Sequence, residues 1–328
     1  MPEREMPPSP PEGGPPAENR QIGHRVLVAG ATGTLGRRVV RELLARGEHV
    51  RALVRHPNGV GARALGRVEL VRGDLLDPGT LGGACDDVDV VISCAGASMR
   101  LGGWGDCRSF MEVDFGGNAN LLEIARTSGV SKFVYVSLFG ARELLRTEYA
   151  AAHERFVGAL AGSGLPYTVV RPTGYFAFFS EMLAMAKRGR ALLIGDGSAR
   201  TNPVDERDVA SACADAILLE EREMAIGGPD VLSRRRIAEL AFEALGKPPK
   251  ISSISPALFG AVIRPVAPIN RRIHALAAFG ASVSTTECVA PRIGRRTLAS
   301  YFAERVARDE FAETFPSGEH AIPTQPQI

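Results

Sequence analysis

Tyr149 and His153 lie four residues apart, and Ser137 closes an apolar run upstream of them. On a helix that spacing puts the phenol and the imidazole on one face. With Ser137 they form a candidate acid–base set that could polarise a substrate oxygen and shuttle a proton. A phenol has an ordinary pKa of ~10, so proton transfer near neutral pH needs a nearby positive charge and hydrogen bonds to its anion. A lysine four residues on would supply that charge, and histidine, only partly charged near pH 7, supplies less. A plainer alternative stays open, in which Tyr149 and His153 are an aromatic and a polar residue of an amphipathic helix.

A second set of residues is suited to holding an anion. Arg25 to Arg55 reads RVLVAGATGTLGRRVVRELLARGEHVRALVR. An apolar run leads into Gly30-x-x-Gly33-x-x-Gly36, an amphipathic stretch follows, and a second apolar run ends on Arg55. This is the order strand, glycine turn, helix, strand. Such a unit holds a dinucleotide pyrophosphate at the helix start, where free N–H groups and the helix dipole favour negative charge. Gly30, Thr32, Gly33, Thr34, Leu35 and Gly36 are therefore expected to line the phosphates. An acidic residue closing the second strand would bond a ribose 2′-hydroxyl, whereas an arginine there suits a 2′-phosphate. Arg55 closes this strand, Arg51 lies within it and Arg37 follows Gly36 directly. A guanidinium grips phosphate through paired hydrogen bonds, so NADP(H) is expected ahead of NAD(H). Asp74 and Leu75 follow the third strand. The Asp74 carboxylate either accepts from the adenine amino group or caps its own turn. Ala95 and Gly96 follow the fourth strand, where bare backbone can pass close to the ribose. Cys94 beside them reads as a strand residue, since no histidine partner is evident.

These residues need a frame. Apolar runs at His49 to Val54, Val68 to Val71, Val88 to Cys94, Lys132 to Val136 and Tyr167 to Val170 alternate with helical periodicity at Arg37 to Ala45, Asp114 to Arg126 and Tyr149 to Leu160. Such alternation predicts an α/β, Rossmann-type, doubly wound parallel sheet with right-handed crossovers. Beyond Pro172 the pattern loosens into a smaller substrate lobe, assigned mainly to residues 173–204 and 247–300. Phe176, Phe178, Phe179, Met182 and Met185 cluster there, as a substrate wall or as core.

Bulk composition narrows the class. Basic and acidic side chains number 39 and 37, so the net charge of +2 leaves no nucleic-acid footprint. Five scattered cysteines without metal-ligand spacing suit reduced thiols and a cytoplasmic setting. No metal site is expected. Residues 1–23 and 316–328, rich in Pro, Glu and Gly, show no export signal and are expected to be disordered tails. The apolar stretch from Ile254 to Val283 is broken by Arg264, Pro265, Pro268, Arg271 and Arg272. It falls short of the ~18 uninterrupted apolar residues of a spanning helix. A partly exposed helix pair is expected, with contact to a membrane surface or an apolar substrate open.

The chain resembles the atypical short-chain dehydrogenase/reductases of the NmrA-like, NAD(P)H-binding group. The resemblance runs from about Arg25 to Gly246. It rests on Gly30-Ala31-Thr32-Gly33-Thr34-Leu35-Gly36, Gly73-Asp74, Val134-Tyr135-Val136-Ser137, Ser163 to Pro172, Asn202-Pro203-Val204, Arg207-Asp208-Val209-Ala210 and Gly227-Gly228-Pro229. It implies NADP(H) binding and hydride transfer on a small organic substrate, and the apolar lobe suggests a hydrophobic one. Tyr149 matches the family's catalytic tyrosine, and His153 stands where the family carries its lysine. Ser137 lies where the catalytic serine region begins, but Leu138 follows where a second serine is common. The group also includes cofactor-binding regulatory and assembly proteins without turnover, and no motif here selects among them.

Overall fold

The computed structural model describes residues 23–97, 99 and 108–314. Residues 1–22 and 315–328, and with them the expected tails 1–23 and 316–328 apart from Gly23, lie outside the described residues, as does Cys107.

Seven strands form one parallel sheet. They are β1 (Arg25–Ala29), β2 (His49–Val54), β3 (Glu69–Arg72), β4 (Val90–Ser93), β5 (Lys132–Val136), β6 (Tyr167–Pro172) and β9 (Glu223–Ile226). Their spatial order is β3-β2-β1-β4-β5-β6-β9. The six strands read from the apolar runs are all present, and β9 is an addition. β9 is short and carries Glu223 and Met224, so periodicity alone did not mark it. The sheet has helices on both faces, so neighbouring residues of one strand enter opposite cores. Val26 and Val28 belong to one, Leu27 and Ala29 to the other.

The strand order reverses between β1 and β4, and in open sheets ligands bind in the crevice outside the strand ends at that switch point. Gly30 leaves β1 there with φ +74°, and a Cβ on it would come within 2.8 Å of Cys94 O and Ala95 N. Only glycine fits both the dihedral and the approach. Helix α1 (Thr34–Ala45) follows, with Leu35, Gly36, Val39, Val40 and Leu43 buried. On the opposite side of the switch, a π-helical turn (Met111–Gly117) runs into α3 (Asn118–Thr127). Helix α4 (Glu148–Gly162) connects β5 to β6.

The smaller lobe has its own core. Helix α5 (Phe176–Lys187), strand β7 (Ala191–Ile194), helix α7 (Arg234–Ala244) and helix α10 (Leu298–Thr314) share Phe176, Phe179, Leu183, Ile237, Phe242, Leu298 and Phe302. Phe176 and Phe179 are thus core rather than wall, and Phe178 faces outward. The lobe draws on α7 and α10 in addition to the expected segments. Strand β7 pairs in parallel with β11 (Ile251–Ile254). Helix α6 (Glu206–Asp215) returns to pack on α1. Two of the family motifs are structural pins. Asn202 bonds Gly228 O, Ala290 O and Ala290 N, and a Cβ on Gly227 would stand 2.1 Å from its side chain. The apolar stretch becomes the expected helix pair, α8 (Pro256–Ile263) and α9 (Arg271–Thr285). Among the described residues no helix is long and apolar enough to cross a membrane.

Candidate functional site

The crevice has a cofactor side and a chemical side. On the first, Gly33 N–H donates to Gly30 O at 2.9 Å and closes the turn. A Cβ on Gly36 would sit 2.1 Å from Gly30 O, so this third glycine lets helix and turn touch. Gly33 is the N-cap residue, no side chain caps the helix, and its first turn carries no acid. The leading N–H groups of α1 therefore keep their donors and their positive dipole end for a ligand. Thr32, Gly33 and Thr34 are exposed, while Leu35 and Gly36 are buried and contribute backbone and packing. Arg55 is exposed, Arg37 is half-buried, and neither pairs with a carboxylate among the described residues. An uncapped helix start flanked by two uncommitted guanidinium groups fits a dinucleotide phosphate set.

Other expected contacts are placed differently. Arg51 is buried: its guanidinium donates to Glu69 Oε1 at 2.7 Å and to the carbonyls of Ala84 and Asp86. It braces the sheet edge, whereas Arg55 and Arg37 have no carboxylate partner among the described residues. Asp74 accepts from Leu76 N–H at 3.1 Å, the turn-capping alternative. Leu75 is half-buried, packed beside Gly117. Ala95 offers its carbonyl to Asn118 Nδ2 at 3.1 Å. A Cβ on Gly96 would lie 2.6 Å from Asp114 Oδ1, so the bare backbone admits that carboxylate. Cys94 packs beside the core as the strand reading expects.

On the chemical side, Tyr149 is on the first turn of α4 and His153 one turn on. Their ring centroids are 4.6 Å apart, and Phe110 and Phe279 meet Tyr149 edge-on at 5.1 and 4.7 Å. His153 is buried. Its Nδ1 lies 2.7 Å from Tyr135 Oη, and its Nε2 lies 3.4 Å from Asp114 Oδ1 without hydrogen-bond alignment. A ring protonated at Nε2, towards the carboxylate, accepts at Nδ1 from the Tyr135 hydroxyl. Asp114 is 1% exposed and takes one hydrogen bond from Ala97 N–H at 3.1 Å. Asn118 locks this arrangement, since its amide donates to Ala95 O and Asp114 O while Ser93 Oγ donates to its Oδ1.

Burial, then the Asp114 charge, push the Tyr149 phenol well above its ordinary range. Burial does the same to Tyr135, with Asp114 adding to it. Both effects favour the neutral Tyr149 phenol over the phenolate. Its hydroxyl meets no hydrogen-bond partner among the described residues, so it is free for a ligand. Ser137 is buried, and its Oγ lies 3.5 Å from Arg171 Nη1 rather than beside Tyr149. Arg171 itself is committed to Glu154 at 2.5 Å and Glu223 at 3.0 Å. The fold thus brings Tyr149 to His153 and sets Ser137 against an ion-pair network.

Sequence reasoning missed Asp114, Tyr135 and Asn118 as site residues. Asp114 and Asn118 stand four apart on one predicted helix after β4, which was the available signal. Tyr135 lies inside an apolar strand, where nothing in the pattern separates a hydroxyl with a partner from a core aromatic.

Residues 30–220 match a family described as NAD(P)H-binding. The divinyl chlorophyllide a 8-vinyl-reductase of Cucumis sativus is 31% identical over 252 residues, which cover 70% of this chain and 59% of that protein. The Photosystem II assembly factor Ycf39 of Trieres chinensis is 27% identical over 233 residues, covering 70% and 72%. The NADPH-dependent quinone oxidoreductase QOR2 of Escherichia coli, solved with NADPH, superposes with a TM-score of 0.65 at 21% identity over 86% of this chain and 99% of that one. That likeness shows the shared Rossmann-type fold. With the glycine turn, the switch-point crevice and more than half of its length matched, the chain belongs to the NAD(P)H-binding family.

Proposed function

We propose that this protein is an NADPH-dependent reductase of a conjugated carbon–carbon double bond in an apolar substrate. The observation that carries the reading is Tyr149, whose hydroxyl has no hydrogen-bond partner among the described residues and whose phenol is pushed towards the neutral form by burial and by Asp114. A short-chain dehydrogenase working on alcohols needs a phenolate-forming tyrosine, and the replacement of lysine by a buried, already bonded His153 withholds the cation for it. A reductase needs the opposite, a proton donor. The uncapped start of α1 with Gly30, Gly33 and Gly36 holds the pyrophosphate, and Arg55 and Arg37 take the 2′-phosphate that sets NADPH ahead of NADH. When bound, NADPH supplies a hydride. The substrate carbon left electron-rich by hydride addition takes the Tyr149 proton, and solvent restores the phenol. Phe110 and Phe279 exclude water from the ring and favour an apolar substrate. The similarity to a vinyl reductase supports this substrate class.

A second reading is a cofactor-binding assembly protein. The engagement of His153 by Tyr135 favours it, as does the similarity to an assembly factor. The two are separated by following NADPH oxidation with a panel of apolar conjugated alkenes, quinones and simple ketones. Oxidation with the alkenes is the expected result. Tight NADPH binding with no oxidation on any member of the panel would leave the second reading standing alone.

A further inference from the structure

Helix α8 is apolar and packs on α9, but its opposite face is open. None of its residues is buried, and Leu258 and Val262, one turn apart on the same face, are 56% and 62% exposed. Ile269, just beyond it, is 76% exposed. An apolar face this open is uncommon on a protein that meets only water. The charge around it is one-sided. From Ala244 to Thr286 the chain has no Asp or Glu, yet it carries Lys247, Lys250, Arg264, Arg271 and Arg272. Arg264 is exposed at the end of α8 and pairs with no carboxylate among the described residues. Arg271 is exposed and keeps a 3.6 Å contact with Glu148. Apolar side chains on an exposed helix that carries no acid and ends on the exposed Arg264 match the physics of interfacial helices on anionic bilayers.

We infer that α8 and Ile269 dock on an anionic membrane surface, with Leu258, Val262 and Ile269 entering the acyl boundary and Arg264 meeting lipid phosphates. Charge complementarity selects this occupant over a second copy of the chain, since two copies would oppose two Arg264 guanidinium groups with no carboxylate on α8 to pair them. The helix behind it, α9, carries Phe279 onto Tyr149, so the docked face lies one helix away from the chemical side of the crevice. The docking itself does not depend on the reductase reading.

The test is co-sedimentation of the full chain with phosphatidylcholine vesicles, with and without phosphatidylglycerol. Binding is expected only with phosphatidylglycerol, and weaker at high salt, because screening shortens the reach of surface charges to ~3 Å at 1 M. Val262→Asp with Leu258→Asp should weaken binding at least tenfold while leaving NADPH affinity unchanged. Both positions are exposed, so retained NADPH binding certifies the folded chain. A wild type that stays in the supernatant with both vesicles, or a double variant that sediments like the wild type, overturns the inference. So does light scattering that shows a wild-type dimer converted to monomer by the double variant, since a second copy would then cover the face.

Discussion

The glycine turn after β1 is held by main-chain contacts among residues close in sequence, Gly33 N–H to Gly30 O and Gly36 against Gly30 O. The cluster around Tyr149 is assembled from distant segments, with Tyr135 on β5, His153 on α4, Asp114 on the π-helical turn and Phe279 on α9. The first is exposed, polar and cationic. The second is buried, aromatic and anionic. A local motif can be recognised wherever it occurs, because its geometry follows from its own residue types. An assembled site depends on which residue each distant element delivers, and it can change chemistry while the fold and the cofactor side persist. His153, which stands where the resemblance implies a lysine, is the position that would carry such a change.

The contrast can be broken from either side. The largest effect should come from Tyr149→Phe, which removes only the proton donor. Turnover on a conjugated alkene should fall about 10²–10⁴-fold with the NADPH dissociation constant unchanged, read by steady-state kinetics and cofactor titration. Equal turnover would reject the donor role. Next comes Gly36→Ala, whose Cβ would press on Gly30 O at 2.1 Å. Such overpacking against backbone should cost about 3 kcal/mol in denaturant unfolding and weaken NADPH binding as well. Arg55→Ala should weaken NADPH by roughly tenfold or more and leave NADH nearly unchanged, since a charged hydrogen bond contributes about 1.5–3 kcal/mol. Equal losses for both cofactors would remove the 2′-phosphate role.

The chemical side also predicts a pH dependence. Tyr135 is fully buried, and burial raises its pKa above the unfolded value. Its stabilising contribution is present in full below pH ~10 and is lost as pH rises from there towards the folded value, by about 1.4 kcal/mol per pH unit. In alkaline urea titrations the stability advantage of the wild type over Tyr135→Phe should therefore shrink as pH rises above ~10. The smallest effect on stability belongs to Gly33→Ala. Its φ of −72° suits any residue and its Cβ would stand 3.2 Å from Gly30 O. Stability should change by less than about 1 kcal/mol while NADPH affinity drops, because the added methyl lies at the open phosphate turn.

Much of the frame was legible because strands covered on both faces are almost continuously apolar, so β1, β2, β4, β5 and β6 stand out in the chain. β9 did not, being a short edge strand whose pairing with β6 is made by the fold. The expected Phe and Met wall proved mainly a core, since an apolar cluster looks the same whether it lines a cavity or packs against a helix. Arg55 was singled out by its place at the strand end with Arg51 in the same strand, and the sheet shows what Arg51 does instead. Strand pairing places Arg51 beside Glu69, while Arg55 leaves the strand end exposed.

Sequence alone therefore determined the dinucleotide side: glycine spacing, a helix start without acid, and arginine where an acidic residue would bind the ribose. Each of these acts within one β–α–β unit, so local order suffices. Only the tertiary structure decided the chemical side. It alone put Asp114 beside His153, gave His153 to Tyr135, left the Tyr149 hydroxyl without a partner among the described residues and turned Ser137 towards Arg171. Those outcomes depend on desolvation and on charges brought together from far along the chain, and both exist only once the sheet has formed.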